Sequence, residues 1–145
     1  MIVQRYITNP YLIDGLKFDL RLYVLLNGIS PMRCYMYLDG LARFATVPYK
    51  KPTKKNLKNL FMHLTNYAIN KHSVDFEYNE SAEKDDVGHK RSFKAILRRL
   101  RENHSTGEVD RMLHKINDLI VKTISIAQPH VHHIYRSCQP HDLMN

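Results

Sequence analysis

Polar and apolar side chains alternate from Lys17 to Leu22, and the chain then stays apolar from Tyr23 to Leu26. A period of two marks a strand with one face toward a core. The apolar end predicts a strand that runs from a polar site into a buried interior. Asn9-Pro10 and Asp14-Gly15, just before it, are turn dipeptides. A second run, Met32 to Leu38, leads through Asp39-Gly40 into Leu41-Ala42-Arg43-Phe44-Ala45-Thr46. Asp-Gly between two apolar runs predicts a hairpin with antiparallel strands on either side of it. Tyr49 to Lys55 reads as a basic loop containing a proline, and Leu60 to Tyr67 as a short apolar segment with polar residues at its end. Residues 73–88 lose all periodicity and carry Glu83-Lys84-Asp85-Asp86, which predicts an exposed, mobile loop.

The period then changes. Phe93, Ile96, Leu97 and Leu100 fall at i, i+3, i+4 and i+7 while Arg98, Arg99 and Arg101 fill the opposite face, so a helix is expected that stops at His104-Ser105-Thr106-Gly107. Val109, Met112, Leu113, Ile116, Ile120 and Ile124 make a second stripe, expected to end at Pro129. Strands followed by two helices predict an α+β class, an antiparallel sheet backed by two helices.

The 145 residues amount to one domain at most, and 43% hydrophobic with 25% charged residues is an ordinary globular composition able to build a core. No stretch approaches the roughly 20 apolar residues of a membrane span, and Met1-Ile2-Val3-Gln4-Arg5 lacks the pattern of a signal peptide. A cytosolic chain without membrane attachment is expected. Cys34 and Cys138 are too few for a disulfide framework and too isolated for a structural zinc site, so both are expected as free thiols. A net charge of +8 points to an anionic partner: phosphate, nucleic acid or acidic polypeptide.

Strand alternation puts Lys17, Asp19 and Arg21 on one face at spacings of roughly 7 Å, opposite Phe18, Leu20 and Leu22. Two cations flanking a carboxylate suit a polyphosphate, with lysine as a point charge and arginine as a bidentate fork. The same residues equally form a solvated, self-neutralising ladder. Arg43 falls on the face of Leu41 and Ala45 rather than beside Phe44, among small and apolar neighbours. It needs an anionic partner there, either a ligand or a protein carboxylate. His63-Leu64-Thr65-Asn66 offers an imidazole, a hydroxyl and an amide able to meet ribose or phosphate oxygens, or else a helix cap at Thr65 or Asn66.

Other features are less telling. His130, His132 and His133 lack a companion carboxylate or cysteine array, so no metal site is expected. The Lys50 to Lys58 run is a solvated loop or a contact for an acidic partner. Arg98, Arg99 and Arg101 suit nucleic-acid phosphates, yet no RNA-recognition or zinc-finger signature accompanies them, and nucleic acid is not the expected partner. With 5 glycines and no glycine-rich nucleotide motif, a phosphate-cradling loop is not expected within the chain.

Four segments in order carry a family likeness: Val3-Gln4-Arg5-Tyr6-Ile7, Gly15-Leu16-Lys17-Phe18-Asp19-Leu20-Arg21, Asp39-Gly40-Leu41-Ala42-Arg43, and His63-Leu64-Thr65-Asn66-Tyr67-Ala68-Ile69-Asn70-Lys71. Together they closely resemble the tubulin tyrosine ligase-like family. Asn70-Lys71-His72 and Ala127-Gln128-Pro129-His130-Val131 resemble its polyglutamylase branch. The resemblance spans nearly the whole chain and is thinnest at 74–90 and after Cys138.

The resemblance implies an ATP-grasp fold and an ATP-dependent ligase that joins glutamate to glutamate side chains of acidic tubulin tails. ATP phosphorylates the acceptor carboxylate, and the amine of the incoming glutamate attacks the acyl phosphate. It implies that Gln4, Arg5, Tyr6 and Ile7 receive adenine, Arg5 and Ile7 through main-chain groups and Tyr6 by packing on the ring. Lys17 and Asp19 become nucleotide contacts, Asp19 near the ribose. Arg21 and Arg43 become the arginines that stabilise the γ-phosphate and the acyl phosphate, where charge develops in the transition state. His63, Thr65 and Asn66 become further nucleotide or substrate contacts. Tubulin and microtubules are the implied partners, in the cytoplasm and cytoskeleton, including a cilium axoneme or basal body.

An ATP-grasp site also needs an N-terminal lobe with a phosphate-covering loop and carboxylates for Mg²⁺, which the family carries on later strands. Residues 1–145 are therefore expected to be a partial domain, an internal piece of a longer ligase whose metal ligands lie outside it. Glu77-Tyr78-Asn79 and Glu102-Asn103 do not replace them, since neither follows an apolar strand. Alone, such a piece is expected to bind nucleotide poorly and to catalyse little. A competing expectation is a non-catalytic basic module that holds acidic tubulin tails by charge, and a third is an RNA-binding piece.

Overall fold

The computed structural model describes residues 2–79 and 84–138. Glu83 of the expected mobile loop and the stretch after Cys138 lie outside the described residues. The elements run β1 (Leu12–Ile13), β2 (Leu16–Ile29), β3 (Met32–Phe44), α1 (Leu60–His63), α2 (Tyr67–Asn70), β4 (Lys90–Ser92), α3 (Phe93–Asn103) and α4 (Thr106–Ser137). The four strands form one sheet in the order β1-β2-β3-β4, and the class is α+β. Leu12 pairs with Lys17 and Ile13 with Leu16; Leu41, Ala42 and Arg43 pair with Ser92, Arg91 and Lys90.

The chain divides into two compact units, Met1–Leu22 with Asp39–Ile96, and Tyr23–Leu38 with Leu97–Asn145. In the first, Ile13, Ala42, Phe44, Ala45, Met62, Phe93, Ala95 and Ile96 are buried. Phe18 stacks on Phe44 with ring centroids 5.3 Å apart, and Arg91 lies over the Phe44 ring at 4.4 Å while pairing with Asp14. In the second, Ile29, Leu100 and Val109 are buried. There α4 starts with a capping box: the Glu108 carboxylate accepts from the backbone N–H and the hydroxyl of Ser105.

The hairpin does not turn at Asp39-Gly40; β3 passes straight through those residues, and the chain reverses at Ser30-Pro31. Gly40 is small for a packing reason, since a Cβ there would meet the carbonyl oxygen of Arg21 at 2.5 Å. The run Tyr23 to Leu26 is exposed, with Leu25 at 65%, rather than heading into a core. Strand propensity fixed its conformation, but no described element of its unit covers it. Ala45 has left β3 and is buried after Phe44, so it does not share a strand face with Arg43.

The second helix continues through Pro129 to Ser137. Proline removes one donor from the helix ladder, yet the partly buried stripe from Met112 to Ile124 already commits the helix to one side. The Gln128 side chain donates to the Ile29 carbonyl at 3.2 Å and holds the helix next to the proline. Leu60 to Tyr67 folds as α1 followed by the start of α2. Glu77, inside the 73–88 stretch, is tied to His89 just beyond it: His89 N–H donates to the Glu77 carbonyl, and Glu77 N–H to His89 Nδ1.

Candidate functional site

Strand β2 delivers Lys17 half-buried, and its ammonium donates 2.7 Å to the carbonyl of His63 and 3.2 Å to the Tyr6 hydroxyl. The same ammonium lies 4.3 Å from the Tyr6 ring centroid, a cation–π contact. Tyr6 in turn meets His63 Nδ1 at 3.0 Å, and His63 Nε2 meets the carbonyl of Asn56 at 3.2 Å. A carbonyl only accepts, so Nε2 carries a proton, and in the neutral ring Nδ1 accepts from the Tyr6 hydroxyl. With the ring neutral, Lys17 donates to Tyr6, Tyr6 to His63, and His63 to Asn56.

Tyr49 closes the cluster edge-on to the His63 ring at 6.0 Å, with its hydroxyl donating to the Thr8 carbonyl at 2.9 Å. Burial and the neighbouring Tyr6 hold the Tyr49 phenol above its ordinary value. Burial pushes the Lys17 ammonium below its ordinary 10.5, and the charges of Tyr49 and Asp19 oppose that shift. Desolvation disfavours a bare ammonium, and an incoming anion restores its charge balance.

Asp19 acts on Lys17 only at a distance and makes its direct ion pair elsewhere than along its own strand. Its carboxylate crosses to β3 and takes both arms of the Arg43 guanidinium, Nε at 3.0 Å and Nη2 in a shorter contact. The protein-carboxylate alternative for Arg43 is therefore what the free chain adopts, and Asp19 is the carboxylate. Arg21 is exposed and makes no ion pair among the described residues.

The structure thus brings Tyr6, Lys17 and His63 into one hydrogen-bonded cluster and Asp19 and Arg43 into a pair that shares the Lys17 strand. Gln4, Arg5 and Ile7 are exposed on the irregular segment that carries Tyr6. Thr65 is half-buried, and Asn66 is exposed at the N-cap of α2 without a capping side-chain hydrogen bond. Tyr49, Asn56 and Asn70 belong to the arrangement although sequence reasoning gave them no role. Asn70 stood inside the His63-to-Lys71 segment, but an asparagine in a short polar run carries no sign of burial.

Among the described residues no three His, Cys, Asp or Glu side chains converge to hold a metal, and Asp19 is already engaged by Arg43. With Asp19 taken by Arg43, the described residues of this cluster do not fit a Mg²⁺ site. They fit an anion: Lys17, Arg21 and Arg43 present cations along β2 and β3. Cys34 is half-buried and Cys138 exposed, both as free thiols.

Residues 1–144 match the tubulin-tyrosine ligase family. The chain is 50% identical over 144 residues to a probable beta-tubulin polyglutamylase of Tetrahymena thermophila, covering 99% of this chain and 12% of that protein. It is 45% identical over 140 residues to the mouse tubulin polyglutamylase TTLL7, and 48% identical over 140 residues to the mouse tubulin polyglutamylase TTLL13. Each covers 97% of the chain, and the chain spans 15% and 16% of those two proteins.

Proposed function

The chain belongs to the tubulin-tyrosine ligase family, and we propose that it is the nucleotide-holding part of an ATP-grasp tubulin polyglutamylase acting on the cytoskeleton. The observation that carries this reading is the joining of Lys17, Tyr6 and His63 in one bonded cluster beside the Asp19–Arg43 pair. Those residues come from the N-terminal segment, β2, β3 and α1, four places that the family likeness assigns to the nucleotide, the acyl phosphate or the substrate.

In the proposed reaction the γ-phosphoryl group passes from ATP to a glutamate side-chain carboxylate, releasing ADP. The amine of a free glutamate then attacks the acyl carbon. An amide C–N bond forms, phosphate leaves and the amine loses a proton. Lys17 serves as a fixed point charge toward the phosphates, prepositioned by Tyr6 and the His63 carbonyl. Arg21, exposed on the same strand, reaches the transferring group. Arg43, already oriented by Asp19, offers a planar fork to charge that develops in the transition state. None of the described residues is given a magnesium-binding role in this reading. The +8 charge suits the acidic acceptor tail that the reading requires.

The test is glutamate incorporation into a glutamate-rich tail peptide by the ligase that contains this segment. Arg43→Ala is expected to lower the rate on the order of 10²-fold or more with thermal unfolding nearly unchanged. Full activity of that variant contradicts the assignment. Retention of tail binding without any ATP-dependent incorporation in the unaltered protein favours the non-catalytic basic module instead.

A further inference from the structure

Asn70 is 1% exposed, and its carboxamide uses its full hydrogen-bonding capacity. Its Oδ1 accepts from the backbone N–H and the hydroxyl of Thr46, both at 3.1 Å. Its Nδ2 donates to the carbonyls of Leu64 at 2.8 Å and Asn66 at 3.1 Å. The four partners fix the amide's orientation, because a flipped amide would set N–H against N–H and oxygen against two carbonyls.

The two ends of this bridge lie on the candidate site. Thr46 follows Ala45, whose N–H donates to the Lys17 carbonyl at 2.8 Å. Leu64 and Asn66 follow His63, whose own carbonyl receives the Lys17 ammonium. The Phe61 carbonyl accepts from Thr46 and Val47 N–H groups and so anchors the start of α1 to the end of β3. Beyond His63 the turn between α1 and α2 has no capping side chain at Asn66, and Asn70 is the side chain that ties that turn to the same strand end.

We propose that Asn70 is a positioning residue of the nucleotide site: it sets the His63–Asn66 turn against the end of β3 so that the His63 carbonyl and ring face Lys17 and Tyr6. The effect on nucleotide rests on the function proposed above, whereas the effect on the turn does not. An ordinary buried asparagine would contribute to global stability alone. A positioning asparagine controls the local order of residues 64–66 and the affinity for ATP in protein that is still folded.

The experiment compares Asn70→Asp, Thr46→Val and Thr46→Ser in the full ligase by thermal unfolding, hydrogen exchange over residues 61–70, and KM for ATP against KM for the tail peptide. Asn70→Asp keeps the shape but turns two donors into an acceptor facing carbonyls, and Thr46→Val removes the hydroxyl donor while Thr46→Ser keeps it. Asn70→Asp is expected to accelerate exchange at 64–66 and raise KM for ATP about tenfold, the equivalent of one lost hydrogen bond to a buried group, with KM for the peptide unchanged. Thr46→Val is expected to act in the same direction and Thr46→Ser to match the unaltered protein. If Asn70→Asp does not fold, the Thr46→Val and Thr46→Ser pair decides alone. Folded variants with unaltered exchange at 64–66 and unaltered KM for ATP overturn the proposal. If the unaltered ligase uses no ATP, the proposed function fails, and the exchange measurement still decides the role of Asn70 in the turn.

Discussion

Arg43 and Asp19 face each other across neighbouring strands, and the guanidinium grips the carboxylate through Nε and Nη2 together. Both side chains are partly exposed, 25% and 36%, so the pair adds little to stability, about 0–1 kcal/mol after solvent screening. Its consequence is orientation. A guanidinium held in one plane by a fork loses less freedom when a phosphoryl group arrives than a freely rotating one.

Asp19→Asn keeps the shape and removes the charge. It is expected to shift the urea midpoint by less than about 1 kcal/mol equivalent and to lower kcat about tenfold through a loosened Arg43. Arg43→Lys is not expected to restore the loss that Arg43→Ala causes, since an ammonium cannot reproduce the fork. Unchanged kcat in Asp19→Asn, measured beside its denaturation curve, contradicts the orienting role.

Tyr6→Phe separates two readings of one side chain. Packing of the ring on adenine survives this change, whereas the hydroxyl that links Lys17 to His63 does not. KM for ATP is expected to rise several-fold, in line with about 1 kcal/mol for a lost hydrogen bond. A KM equal to that of the unaltered protein assigns Tyr6 to ring packing alone.

Gly40→Ala is expected to destabilise the protein by about 1–3 kcal/mol, the usual cost of forcing an extra carbon into packed structure. The new Cβ would lie 2.5 Å from the Arg21 carbonyl oxygen, which belongs to backbone and has no flexible end to swing away. The same displacement moves Arg21, so kcat falls together with the melting temperature. A melting temperature unchanged within a degree contradicts the close approach.

His89 is buried against Phe76, and burial pushes its pKa below the ordinary 6.5. Its Nδ1 accepts from Glu77 N–H and has to be unprotonated to do so. The unfolded chain binds this proton more readily than the folded one, so stability rises with pH in this window. The contribution is fully present above about pH 6.5 and is lost as pH falls through the lower folded value. Melting temperatures between pH 5 and 8 are expected to drop on the acid side, and His89→Gln is expected to flatten that part of the profile.

Much of this arrangement was readable beforehand because it rests on short-range patterns. Alternation placed Lys17 and Asp19 on one face, and the 3.6-residue stripe from Val109 to Ile124 gave the buried side of α4. Asp39-Gly40 has the composition of a turn dipeptide, yet Gly40 answers to the distant Arg21 backbone instead. Pairing partners of Asp19 and the burial of Asn70 are long-range facts, set by which strands meet, and local sequence carries no record of them. The exposed run at Tyr23 to Leu26 illustrates the same limit, since hydrophobicity shows that a surface needs covering without showing what covers it.

The most direct measurement is a calorimetric titration of ATP with Mg²⁺ into the ligase carrying this segment, unaltered and as Lys17→Ala. Specific binding to the unaltered protein, weakened at least about tenfold by Lys17→Ala at an unchanged melting temperature, is the predicted result. Equal ATP affinity in the two proteins contradicts the central claim that the Lys17 strand holds the nucleotide.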